Sequence, residues 1–536
     1  MQDIRRIAWL SLAVSLALAG CGGGGGGSAP PPPTASLGAV PVSTYGVQDD
    51  DISTTVTLGL NFKPTGDFSL QVALQNGMPL IPTLTPVAGA ANQYSVHLAM
   101  NNSATPGIYR GTAHMKLCAD AACQTRQAIA EIEFDYVFDV LPPGTRWPGD
   151  HLTALVPWTD APEWSTFQGN AAHTGFVPVD IDPARITPRW RIMGTGETIS
   201  DYNGYPQTIT LEAGRFYQSS QSSVIARSED DGSVLWRHDF ALDNLEYPAA
   251  NPPAVVGGTV YVTAGQQSST WFYGLDAATG VRKFRTPLES QWTRFLPPTA
   301  GATGVYAEGG EYGGLYGFDP VTGSQRFFDA LDAGADMWTP AVDATGVYYF
   351  ARGQFRAFDP ASGEALVGID DAAQGQDGYG VVGSPVIGSP GHVYAATYEQ
   401  SITDGGRRGN VLSAFDVAGG RLAWQATGNF PTTPAFHDGH LFVANENPYR
   451  IESRAEADGA VQWSWTPPAE AGTHFRSEPL VTNNLLFVST DTTTYAVDLA
   501  TRDIVWRYPM SGRLALSRSG VLYIQNALLV CAFNLR

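Results

Sequence analysis

The stretch 274–284, read as G-L-D-A-A-T-G-V-R-K-F, recurs in altered form down the second two-thirds of the chain. Its versions are 317–327 (G-F-D-P-V-T-G-S-Q-R-F), 357–367 (A-F-D-P-A-S-G-E-A-L-V), 414–424 (A-F-D-V-A-G-G-R-L-A-W) and 496–506 (A-V-D-L-A-T-R-D-I-V-W). Looser copies end at Trp236 (D-D-G-S-V-L-W) and Trp463 (A-D-G-A-V-Q-W). An Asp, a Gly four positions on and a large residue four further describe a hairpin. The Asp side chain can accept bonds from turn amides, and the Gly supplies the positive φ that closes the loop. The terminal aromatic falls on the outgoing strand, on the side that meets a neighbour rather than water.

Each copy belongs to a larger unit. A short apolar strand precedes it: 259–263 (TVYVT), 304–307 (GVYA), 346–350 (GVYYF), 392–395 (HVYA), 440–443 (HLFV) and 485–488 (LLFV). Ahead of each strand lies a proline, at Pro206, Pro253, Pro298, Pro340, Pro385, Pro434 and Pro479, with spacings of about 42–49 residues. A period of that size with four short strands per unit is the signature of a β-propeller blade. β-branched and aromatic runs without helical periodicity exclude a solenoid of helices.

Seven proline-led units carry their own outgoing strand. The stretches 513–516, 520–524 and 528–533 supply three more strands before the sequence stops. The fourth is expected from 188–193, whose Trp190 takes the repeat's Trp position. That joins the two ends of an eight-bladed ring and removes open edges. A seven-bladed ring with extra C-terminal strands is the alternative. The repeat aromatics Trp190, Trp236, Phe284, Phe327, Trp424, Trp463 and Trp506 are expected to pack between blades. Burial of each removes about 150–250 Å² from water, or about 4–6 kcal/mol gross at about 25 cal/mol/Å².

At 536 residues the chain exceeds one core, so two or more domains are expected. Its net charge of −20, from 31 Lys and Arg against 51 Asp and Glu, argues against nucleic acid as a partner. Residues 1–20 read as a targeting segment. Arg5 and Arg6 precede an apolar run that is too short to span a membrane. The following L-A-G-C resembles a bacterial lipoprotein lipobox, with Cys21 as the lipidated N-terminus; a secretory signal with a chance Cys is the alternative. In such lipoproteins the residue after the Cys directs sorting, and Gly22 in place of Asp implies the outer membrane. A Gly-rich then Pro-rich tether, 21–35, would lift the rest off that surface.

Residues 36–141 alternate clearly at 54–60, 68–74, 93–98, 107–117 and 128–140, and an immunoglobulin-like sandwich is expected there. Cys118 and Cys123 are expected to form a disulfide across a hairpin tip, as in an exported protein. A redox or metal pair is the alternative. The pattern of Gly107, Tyr109, Gly111, Cys118, Asp120 and Cys123 resembles small immunoglobulin-like modules of bacterial surface proteins. A Pro-rich linker, 142–163, leads to W-S-T-F-Q-G-N-A-A-H-T-G at 164–175 and to I-T-P-R-W at 186–190.

That opening, with the repeats behind it, resembles the quinoprotein-like propeller family over about 164–536. Its members include the pyrroloquinoline quinone (PQQ) alcohol dehydrogenases and a non-enzymatic lipoprotein of the outer-membrane β-barrel assembly machinery. With the resemblance to that fold, the expectation is an all-β chain, the immunoglobulin-like sandwich followed by an eight-bladed propeller. The enzymes of the family hold PQQ with a vicinal disulfide and a calcium-coordinating set. Cys531 is the single cysteine of 164–536, so the vicinal pair is absent. There is no G-x-S-x-G and no H-E-x-x-H. His437 and His440 fall at a hairpin turn, and Asp49, Asp50 and Asp51 lack the spacing of a calcium loop. No catalytic or metal residue is therefore assigned, and no cofactor is expected, PQQ with calcium being the alternative.

What remains is a surface. Loops on the face opposite the Asp turns carry Tyr247, Arg294, Phe295, Tyr312, Trp338, Arg352, Phe475 and Arg476. Aromatics and Arg are enriched where proteins meet. This face is the candidate site for an envelope protein or a glycan; ordinary loop composition is the alternative. The expectation is a monomeric, membrane-tethered scaffold, with a PQQ-dependent oxidoreductase and an outer-membrane assembly factor as the other readings.

Overall fold

A computed structural model describes residues 33–37, 42–48, 52–63, 69–74, 80–87, 91–100, 104–118, 128–141, 152–193, 208–220, 222–243, 245, 249–266, 269–290, 296–311, 313–331, 338–351, 353–371, 381–382, 384–396, 398–400, 407–408, 411–526 and 529–536. Cys21, its tether and the targeting segment lie outside the described residues, as do Cys123, Asp49, Asp50 and Asp51.

Between 35 and 141 two four-stranded sheets face each other. One orders Ala35–Leu37, Ser53–Leu60, Gln93–Met100 and Leu80–Pro86. The other orders Val42–Val47, Ala128–Leu141, Gly107–Cys118 and Ser69–Leu74, the first pair being parallel. Alternate residues of both sheets, among them Val56, Leu58, Val96, Leu98, Met115, Leu117, Phe134 and Phe138, form one core. That is the consequence of strands whose side chains point to opposite faces in turn. Cys118 is disulfide-bonded.

From residue 187 onward the chain is a β-propeller. Among the described residues, eight antiparallel four-stranded sheets occupy 210–239, 254–288, 299–330, 341–370, 386–427, 435–465, 480–508 and 513–534, the last completed by Thr187–Met193. They are numbered one to eight in that order below. In the first seven, strand order follows the chain outward from an inner strand. The eighth is closed across the chain ends, with Thr187–Met193 antiparallel to Leu529–Asn534.

The repeat's Asp acts as read from its position. Asp276 Oδ1 accepts from the amides of Ala278 (3.1 Å) and Thr279 (3.0 Å) and from the Thr279 hydroxyl (2.9 Å). Asp319, Asp359 and Asp498 make the same turn. These donated bonds hold the carboxyls of Asp276, Asp319, Asp359 and Asp498 below their ordinary range. The register slips by one residue where each outer strand meets the third. The slip turns the following aromatic toward the next sheet.

There the turn glycine of the next sheet receives it. A Cβ on Gly280 (φ +71°) would lie 2.5 Å from the Trp236 ring, and one on Gly459 (φ +71°) 2.6 Å from Trp424. Phe284 lies under Gly323, Phe327 under Gly363 and Trp190 under Gly232 in the same way. In the seventh sheet Arg502 stands where the glycine belongs, at φ +70°, and its guanidinium lies 4.2 Å from the Trp463 ring centre. Trp506 meets Phe533 of the eighth sheet edge-on at 5.2 Å.

A tyrosine on the second strand makes a parallel contact. Tyr217, Tyr261 and Tyr306 donate to the turn carbonyls of Ala277 (3.1 Å), Pro320 (2.9 Å) and Pro360 (2.6 Å), each in the following sheet.

Candidate functional site

Two parts of the propeller are candidates: its axis, and the face opposite the Asp turns. The axis is crossed by 164–175. Its carbonyls accept from the inner strands of six sheets in turn: Trp164 from Leu211 N–H (2.7 Å), Ser165 from Val255 (2.8 Å), Ala171 from Val342 (2.7 Å), Ala172 from Ile387 (2.9 Å), Thr174 from Phe436 (2.8 Å) and Gly175 from Val481 (2.8 Å). The Thr166 hydroxyl donates to Pro298 O in the third sheet's approach (2.9 Å). The segment is a hub at the end of the channel where the Asp turns lie.

The hub needs unusual backbone. Gln168 and His173 adopt φ of +50° and +57°, and Gly175, at +61°, has Pro479 O 2.9 Å from where a Cβ would sit. Asn170 Oδ1 accepts from Ala172 N (3.1 Å) and Thr174 N (3.3 Å), fixing the bend. His173 is fully buried, with Nδ1 3.0 Å from Pro385 O and Nε2 3.1 Å from the Thr299 hydroxyl. A carbonyl can only accept, so Nδ1 carries the proton that faces Pro385. Burial lowers the His173 pKa to about 4. Beside the hub a cavity of about 20 Å³ is lined by Trp164, Phe167, Gln168, Thr208, Glu478, Pro479, Leu480, Arg513 and Leu514. It has room for about one water. The buried Arg513 donates to Glu478 in its wall at 2.6 Å.

On the opposite face, Tyr247, Arg294, Phe295, Tyr312 and Arg352 lie outside the described residues. Trp338 and Phe475 do not present themselves to a partner. Trp338 is 1% exposed and sits edge-on to Tyr349 at 4.5 Å, while Phe475 is 5% exposed and packs on Tyr449 at 4.6 Å. Both are buried anchors of the links between sheets. Arg476 meets solvent, with its Nε 2.7 Å and Nη2 2.5 Å from Asp491 Oδ1.

Asp491 organises this corner. It also accepts from the amides of Thr473 (2.8 Å) and His474 (3.1 Å), and His474 Nδ1 lies 3.2 Å away. These donors hold its carboxyl low against the burial that raises it. Glu446 accepts from Phe475 N–H at 3.0 Å, and burial raises its carboxyl. The corner is a braced loop with one exposed guanidinium and one imidazole. His474 and Arg476 are engaged by Asp491, and the Thr473 hydroxyl lies 3.2 Å from the same His474 Nδ1. Among the described residues, no group of three His, Cys, Asp or Glu stands where it could hold a metal.

The comparisons with known proteins decide the family. Residues 220–464 and 407–534 match the PQQ-repeat family model described as outer membrane protein assembly factor BamB. The chain belongs to this family. BamB from Moraxella catarrhalis superposes with a TM-score of 0.48 at 16% identity, over 65% of this chain and 97% of that one. The quinohemoprotein alcohol dehydrogenase from Comamonas testosteroni superposes with a TM-score of 0.50 at 14% identity, over 69% of this chain and 80% of that one. Its likeness is one of fold. A curated relative, the serine/threonine-protein kinase AfsK of Streptomyces griseus, is 30% identical over 146 residues, 27% of this chain. The chain spans 14% of that relative's length.

The hub was not foreseen from the sequence. Its signal was present in Gly169, Asn170, His173 and Gly175, residue types that tolerate or require positive φ, within a dozen positions. The repeat aromatics all lie between sheets. The chain's four cysteines stand at 21, 118, 123 and 531, so no two are adjacent in sequence.

Proposed function

We propose that this chain is a lipid-anchored, non-enzymatic binding protein of the cell envelope that offers its propeller as a protein-interaction platform. The observation that carries this reading is the family match across residues 220–534, to a model described as an outer membrane assembly factor. The hub supports it, because the axis at the Asp-turn end is filled by the chain's own backbone. The opposite face, with Arg476 braced and exposed, is then the surface on offer. Anchoring rests on L-A-G-C at 18–21 and the tether behind it. The partner is an envelope protein, and participation in outer-membrane protein assembly is the finer form of the proposal. The propeller works as a monomer and without a cofactor.

The test uses the full chain in the cells that make it. A photo-crosslinking residue replaces Arg476, and a second replaces Val321, which is 79% exposed on the Asp-turn side. Capture of an outer-membrane protein from position 476 and not from 321 is the expected result. Fatty-acid labelling lost in Cys21→Ser reports the anchor separately. Stoichiometric binding of PQQ with calcium, followed by alcohol oxidation, would overturn the reading in favour of an oxidoreductase.

A further inference from the structure

Two turns depart from the Asp pattern in the same way. Ser228 and Ala455 stand where the repeat has Asp, and Glu229 and Glu456 follow them. Both carboxylates reach the tyrosine of the preceding sheet, in place of the carbonyl used elsewhere. They differ in what holds them. Glu456 accepts from the Ser389 amide (2.7 Å), the Ser389 hydroxyl (2.6 Å) and Tyr394 (2.9 Å).

Glu229 is 1% exposed and receives hydroxyls alone among the described residues: Tyr523 at 3.0 Å, Ser519 at 3.2 Å and Ser517. The nearby guanidinium, Arg189, faces other acceptors. It donates to Glu229's backbone carbonyl (3.2 Å), Thr153 O (2.9 Å), Asn534 Oδ1 (2.9 Å) and Asp230 Oδ1 (3.3 Å). Asp230 and Asp231 follow on the same turn, and Glu163 adds negative charge from the approach to the hub. Glu229 thus sits, without a cation on its carboxylate, where the first sheet meets the last.

We propose that Glu229 is a pH-sensitive latch on the ring's seam: protonated, it lies uncharged between the first sheet's turn and Tyr523 of the eighth, and ionised, it places a buried charge without a cation there, which favours opening of the seam to water. A neutral carboxyl can exchange hydrogen bonds with the hydroxyls around it, whereas a buried carboxylate with hydroxyl donors alone is poorly solvated. Burial pushes the Glu229 carboxyl up to about 7. The folded chain then keeps a proton that the unfolded chain releases near about 4.5. This contribution to stability is fully present below that value and lost as pH rises through the folded pKa.

The experiment follows thermal unfolding of the full wild-type chain, Glu229→Gln and Glu456→Gln from about pH 5 to about pH 8. The Tm of Glu229→Gln minus that of wild type is expected to start near zero and grow positive with pH. Glu456→Gln measures the cost of losing the matching turn carboxylate at a mid-ring contact. In the wild type, hydrogen exchange corrected for intrinsic rate should rise with pH in peptides covering 187–193 and 521–534, relative to those covering 341–358. A constant Tm difference overturns the latch, and so do seam peptides that track the rest. If Glu229→Gln fails to fold, the exchange measurement on the wild type decides alone.

Discussion

The contact between the fifth and sixth sheets and the contact between the eighth and first use the same parts for different tasks. In the first, Trp424 lies under Gly459 and donates its indole N–H to Glu456 O at 2.8 Å. In the second, Trp190 lies under Gly232 and donates to Glu229 O at 2.7 Å. The fifth and sixth sheets are joined by a short stretch of chain, so the ring need only fill space. The chain enters the first sheet from Thr187–Met193, a strand that is held to the rest of the eighth sheet only by its pairing with Leu529–Asn534, and there the repeat's contact is reinforced. Arg189, fully buried, donates to four acceptors, and Trp190 also packs on Phe216 (5.4 Å) and Tyr523 (5.7 Å). Closing a ring through a sheet built from both ends of the propeller takes directional bonds as well as buried area.

If that difference is real, Trp190→Ala should cost more than Trp424→Ala. Large-to-small changes of a buried Trp cost about 3–5 kcal/mol, and Trp424, unlike Trp190, is only half-buried. The seam variant is expected near about 5 kcal/mol and the mid-ring one near about 3 kcal/mol. Urea unfolding of both measures it, and equal losses would make the seam an ordinary contact.

Next in size is the ring-and-glycine contact itself. Gly459→Ala forces a Cβ against Trp424, whereas Gly391, at φ +84°, has nothing within 4 Å of that position. Both substitutions carry the left-handed penalty of about 1–2 kcal/mol. Overpacking adds about 1–3 kcal/mol at Gly459 alone. The gap between their unfolding free energies isolates the contact. No gap would mean that the Trp424 ring moves aside without cost.

The hub and the seam should also respond to acid with opposite sign. His173 is neutral when folded, with its pKa lowered to about 4 by burial. Its unfolded value is near about 6.5, so the unfolded chain binds the extra proton first. Stability from His173 is present above about 6.5 and lost as pH falls to about 4, by about 3 kcal/mol in all. Glu229 works the other way over an overlapping range, so the wild-type profile is flatter than either group alone would make it. An NMR titration of the imidazole checks the hub's half. A His173 midpoint near the ordinary value would remove it.

The sequence carried the propeller because its repeat is made of side chains with local jobs. Asp276, Gly280 and Phe284 show their spacing directly, and the closing strand expected at 188–193 is observed as Thr187–Met193. The hub was not legible in the same way, because its six bonds come from backbone carbonyls, which any residue supplies. Trp338 and Phe475 were placed on a surface because links between sheets usually run outside. In these two links an aromatic turns inward and covers Tyr349 and Tyr449. In the sandwich, Leu80–Pro86 and the two short N-terminal strands were missed, the first interrupted by Pro82 and the others brief.

The smallest expected effect tests whether Arg502 is a defect in the repeat or a substitute for its glycine. It holds φ +70° without the freedom of glycine, which costs about 1 kcal/mol. Its guanidinium covers the Trp463 ring at 4.2 Å, a contact of about 0.5–1 kcal/mol at a partly exposed site. Arg502→Gly removes both, so the net change is expected to be within about 1 kcal/mol of zero. Arg502→Ala keeps the strain and loses the contact, and it should be the less stable of the two. Equal unfolding midpoints for the Gly and Ala variants would show that the backbone relaxes there. In that case the seventh turn would not depend on the conformation that the repeat's glycine provides elsewhere.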